Sequence, residues 1–124
     1  PPHQTVRLLV VLVAAVAFVA INTAAKPESG QITVAEPVSH GGMTTATVTP
    51  GGPDVYVFVR CYNPAYVYAA YFPVGTDQTA VIGPLASSLW TSGGASCIAE
   101  EGYFKRSGFG RWVLLASDHF SVVP

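Results

Sequence analysis

Fourteen consecutive residues, Leu8 to Ile21, carry no polar side chain, and a run of that kind has few fates in so small a protein. A chain of 124 residues holds one ordinary domain. Read on to Ala25, the uncharged stretch has 18 residues, a helix of about 27 Å that crosses a thin bilayer. Read only to Ile21, it has the length of a signal-peptide core. Arg7 and His3 suit either the basic start of a signal or the cytoplasmic flank of an anchor. Thr23-Ala24-Ala25 would serve as a small-residue cleavage site. A buried core helix of a soluble domain fits poorly, because the segment is apolar on every face. We therefore expect residues 1–25 to be a flank and transmembrane helix, held in membrane lipid by Leu8, Leu12, Val16, Phe18 and Ile21. The positive-inside rule then leaves the N-terminus cytoplasmic and the rest periplasmic or extracellular. A cleaved signal peptide is the alternative.

Residues 26–30, Lys-Pro-Glu-Ser-Gly, read as a linker, with Pro27 and Gly30 as helix breakers. From Gln31 the punctuation is that of an all-β chain. Gly and Pro clusters recur at Gly41-Gly42, Pro50-Gly51-Gly52-Pro53, Pro73-Val74-Gly75, Gly83-Pro84 and Gly93-Gly94. Between them lie short runs of Val, Thr, Tyr and Phe. The pattern predicts strands near residues 31–35, 44–49, 55–61, 66–72, 78–82, 95–100 and 111–120. Seven strands in residues 31–124 describe a small β-sandwich. Charged residues are only 10% of the chain and hydrophobic residues 50%, which suits a protein partly in lipid or covered by other subunits. A net charge of −1 gives nucleic acid no electrostatic footprint.

Alternation is clearest from Val55 to Cys61. Val55, Val57, Val59 and Cys61 share one face, and Tyr56, Phe58 and Arg60 share the other. Tyr66, Tyr68 and Tyr71 add aromatic surface nearby. Core filling would account for these rings. The sharper expectation is an interaction surface of Tyr56, Phe58, Tyr66, Tyr68 and Tyr71 that meets another protein or the membrane interface. Cys61 and Cys97 are the only cysteines, and an even count outside the cytoplasm predicts one disulfide, across or within the sandwich.

The run Ala95-Ser96-Cys97-Ile98-Ala99, with Tyr103, Trp112 to Ser117 and Phe120-Ser121-Val122, resembles the last two strands of an immunoglobulin-like sandwich. The resemblance covers the C-terminal third well and the rest loosely, at superfamily level. It implies a fold and a binding role, and no activity. The chain departs from antibody domains in having no Trp shortly after Cys61; Trp90 comes much later. That departure leaves open whether the cysteines bridge the two sheets.

No residue set points to catalysis. Of His3, His40 and His119, the first precedes the apolar segment, and Asp118-His119 are strand neighbours that point to opposite faces. His40, Met43, Cys97 and His119 are the residue types of a copper centre, at the wrong spacing. Glu100-Glu101 point apart and lack further oxygen ligands for calcium. No phosphate-binding loop is present. Lys105-Arg106 and Arg111 read as a solvated turn, or as a contact for lipid headgroups or an acidic partner.

The expected function is therefore non-catalytic, with no cofactor, no metal and no small-molecule substrate. The chain reads as an accessory subunit of a larger membrane complex, of the respiratory or photosynthetic kind, bound to other protein subunits. The alternatives are a secreted or surface binding domain and a pilin-like filament subunit.

Overall fold

The computed structural model describes residues 29–106 and 110–124. The anchor positions Leu8, Leu12, Val16, Phe18 and Ile21, and the linker up to Glu28, lie outside the described residues. Among the described residues no helix is long and apolar enough to cross a membrane. All regular structure in them is β: β1 (Gln31–Val34), β2 (Val38–Ser39), β3 (Thr44–Thr49), β4 (Val55–Asn63), β5 (Ala65–Pro73), β6 (Thr79–Ile82), β7 (Ala95–Phe104) and β8 (Trp112–Val123).

The strands form two sheets, one ordered β1-β3-β6 and one ordered β2-β8-β7-β4-β5. The inner faces meet in one core, with Ile32, Val34, Ala46, Val48, Ala80 and Ile82 from the smaller sheet. Val57, Val59, Cys61, Cys97, Ala99, Phe120 and Val122 come from the larger. The period-2 alternation of β3 and β4, buried at every other residue, is what lets each strand give one face to that core. Trp90, on the stretch between β6 and β7, closes one end of the core at 1% exposure. It lies edge-on to Tyr68 at 6.0 Å and to His40 at 5.0 Å, and its indole N–H donates to Gly93 O. Asp118 ties the sheets at one side, its carboxylate accepting from the Val34 amide at 2.9 Å.

Seven strands lie where the alternation and turn residues place them. The eighth, β2, was not expected; its two residues between Pro37 and the His40-Gly41-Gly42 turn are too few to show a period. It pairs parallel with the end of β8, Val38 opposite Val122 and Ser39 opposite Val123. β7 and β8 also run further than expected, to Phe104 and Val123.

Strand direction gives the domain two poles. Gly30 brings the chain in at the pole where β4 starts and β7 ends, its amide bonded to Leu115 O at 3.0 Å. We call this pole proximal. β8 runs from it to the distal pole, where Trp90 and β2 lie.

Candidate functional site

The larger sheet turns one face outward with nothing described covering it. Outward parity on β4 carries Tyr56, Phe58, Arg60 and Tyr62, and the register sets Tyr71 opposite Phe58 and Tyr66 opposite Tyr62. A register shift between Glu101 and Gly102 against β8 leaves Leu115 inward as an extra residue. Beyond the shift, Phe104 faces Trp112 on the outer side.

Five rings make one cluster at the proximal half of this face. Phe58 and Tyr71 stack at 4.2 Å, and Trp112 stands edge-on to them at 6.4 and 5.5 Å. Phe104 packs on Trp112 at 4.9 Å and on Tyr56 at 6.4 Å. Gly102 makes this arrangement feasible, because a Cβ there would collide with the Trp112 ring and with Val113 O. The cluster ends at Arg60, whose guanidinium lies 5.4 Å from the Phe58 ring centroid and bonds Glu100 at 3.0 Å. Tyr62 and Tyr66 form a separate exposed pair near the distal pole, 5.5 Å apart.

Of the five aromatic residues named from sequence, Tyr56, Phe58 and Tyr71 thus come together, and Tyr66 lies apart. Tyr68 does not belong to this surface. It sits opposite Cys61, on inward parity, and is 9% exposed against Trp90. Burial raises its phenol pKa. Phe104 and Trp112 complete the cluster and were missed: Phe104 lies beyond the expected end of β7, and Trp112 turns outward through the extra residue Leu115 in β8, which has no signature in the residue pattern.

Cys61 and Cys97 are disulfide-bonded. They are direct register partners on β4 and β7, so the bridge joins neighbouring strands of one sheet. Cys97 therefore offers no thiolate to a metal, and among the described residues no three His, Cys, Asp or Glu side chains gather as a metal site.

β5 is the outer strand of the larger sheet, and its nine residues, AYVYAAYFP, include no charge. The Cys61–Cys97 pair approaches to 4.1 Å between Cα atoms, the spacing of a non-hydrogen-bonded pair. Cys61 therefore turns its amide and carbonyl to β5 and Tyr68. By alternation Ala69 and Tyr71 turn theirs to the open edge. Val67 O, also on that edge, accepts from Ser87 Oγ at 2.6 Å. Ser87 and Leu89, with Tyr66 and Pro84, line an open depression of about 480 Å³ beside it. Leu89 is 75% exposed.

Glu101 is fully buried on the inner face, and among the described residues neither carboxylate oxygen meets a hydrogen-bond partner. Desolvation raises its pKa; the Gly51 amide pulls the other way without reaching hydrogen-bond geometry.

Comparison with known proteins gives no match to a family model, a curated protein or a solved structure. The reading of function therefore stands on the geometry of this surface.

Proposed function

We propose that the chain is a non-catalytic accessory subunit of a larger membrane assembly, tethered by residues 8–25, whose sandwich takes a protein partner along the edge of β5. The observation that carries this reading is the uncharged, open edge at Ala69 and Tyr71. Sheet edges in monomeric proteins are ordinarily blunted by Lys, Pro or a covering segment. Here Pro73 blunts only the end of the strand and Ser87 occupies Val67 O, while exposed Tyr66, Tyr71 and Leu89 flank the stretch around Ala69 and Tyr71. A strand added there would gain main-chain hydrogen bonds and aromatic contacts together.

An immunoglobulin-like architecture is part of the proposal. Support comes from the strand order, a β1-β3-β6 sheet against β2-β8-β7-β4-β5 with a parallel β2–β8 pair. The disulfide departs from that pattern by lying within a sheet. A secreted binding domain is the second reading, favoured by the small residues Thr23-Ala24-Ala25.

Mild-detergent extraction of native membranes, native separation and mass spectrometry test both. The proposal expects a large complex containing this chain with its apolar segment intact. Ala69→Pro should abolish comigration and leave the fold, because the Ala69 amide is directed away from β4. A lone species beginning near Lys26 would establish the secreted reading instead. Undiminished comigration of Ala69→Pro would remove β5 as the docking edge.

A further inference from the structure

We infer that the proximal pole of the sandwich docks on an anionic lipid surface, with Trp112, Phe104 and Leu114 at the headgroup level and Lys105, Arg106 and Arg111 against the phosphates. The inference rests on the tether proposed above, and three observations carry it.

The first is reach. Only residues 26–29 separate Ala25 from Gly30, whose amide is fixed to Leu115 O at the proximal pole. The five Cα–Cα steps from Ala25 to Gly30 span at most about 18 Å when fully extended. A tether at residues 8–25 therefore holds this pole, and not the distal one, beside the bilayer.

The second is charge. The sequence contains 6 Lys and Arg residues. Arg7 and Lys26 flank the apolar segment, Arg60 is paired with Glu100, and Lys105, Arg106 and Arg111 all belong to the connection from β7 to β8 at the proximal pole. The distal loops, residues 35–43 and 83–94, contain no Lys or Arg and carry Glu36. Asp54 and Asp77 share the proximal pole on other loops, and Glu28 belongs to the connection between Ala25 and Gly30. Asp77 is engaged by the Thr79 hydroxyl and amide at 2.9 and 3.2 Å.

The third is the company those cations keep. Phe104 immediately precedes Lys105 and Trp112 immediately follows Arg111, both on the outer face, and Leu114 beside them is 50% exposed. Aromatic rings flanked by basic side chains suit the membrane–water interface, where rings sit at headgroup depth and cations meet phosphate. Among the described residues, the one cation near the distal Tyr62–Tyr66 pair on this face is Arg60, and it is paired with Glu100.

Full-length protein reconstituted into phosphatidylcholine vesicles, with and without phosphatidylglycerol, tests this through lipids carrying a quencher near the headgroup. Trp90 is buried in the core and supplies an unquenched baseline, so quenching reports Trp112. We expect quenching on the anionic vesicles that Trp112→Phe removes. Replacing Lys105, Arg106 and Arg111 by Gln should shift docking on the order of 100-fold toward the undocked state and lose most of the quenching. Protein that floats with vesicles while Trp112 stays unquenched would overturn the contact and leave the tether standing. Quenching indifferent to phosphatidylglycerol and to the Gln variant would overturn the anionic surface. Shielding of Trp112 only when another protein copurifies would assign the pole to that protein. Failure to float would remove the tether and this inference with it.

Discussion

The indole of Trp112 occupies the space where any residue other than glycine at position 102 would carry its Cβ. One strand thus yields a side chain so that its neighbour can lay a ring across the sheet. Gly102→Ala should cost about 1–3 kcal/mol, as overpacking does in well-filled sites, and should change Trp112 emission. Chemical unfolding followed by fluorescence checks both. An unchanged midpoint with unchanged emission would contradict the close approach.

The disulfide is expected to stabilise chiefly through the unfolded chain. Cys61 and Cys97 are 36 residues apart, and closing such a loop contributes about 4 kcal/mol in the chain-entropy model. Cys61→Ser, or reduction, should lower the unfolding midpoint accordingly in denaturant titrations. A melting temperature that ignores reductant would refute a structural role for the bridge.

Glu101 gives the domain a pH dependence of definite sign. Burial raises its folded-state pKa above the unfolded value. The protonated form is therefore the one the fold prefers: its contribution is fully present below the unfolded pKa and lost as pH rises through the folded one. Glu101→Gln should accordingly raise stability at neutral pH, with the gain shrinking toward acid. The difference between wild type and variant, measured across pH, cancels the other titrating groups. A gain that grows toward acid would reverse the assignment.

The tether makes its own prediction. Val13→Arg should disfavour insertion by about 2.5–3.5 kcal/mol and release the protein from membranes on fractionation. Tight retention of the variant would mean that another part of the chain holds it.

The fold was largely legible in the sequence because strands that give one face to a core must alternate. Val55-Tyr56-Val57-Phe58-Val59 shows this, and the structure buries the residues the alternation selects. What remained hidden is non-local. β2 exists because the end of β8 is there to pair with it. Tyr68 faces inward through the register that sets it opposite Cys61. Trp112 joins the surface cluster through a register shift in β8 that no residue type announces, and Phe104 through the continuation of β7 past residue 100. Alternation alone has Glu100 and Glu101 pointing apart, but which of them points inward depends on the register that sets Glu101 opposite Val57 in the core while Glu100 reaches Arg60.

Gly30 enters at one pole and β8 ends at the other, with the two sheets sharing the distance between them. A pull between those points runs parallel to the strands, so it shears the sheets past each other instead of peeling them apart. The parallel β2–β8 bonds and the Asp118–Val34 tie lie across that line and share the load side by side. The disulfide between β4 and β7 lies off it. The disulfide thus braces strands that such a pull does not load directly, and its oxidation should matter less to mechanical resistance than to thermal stability.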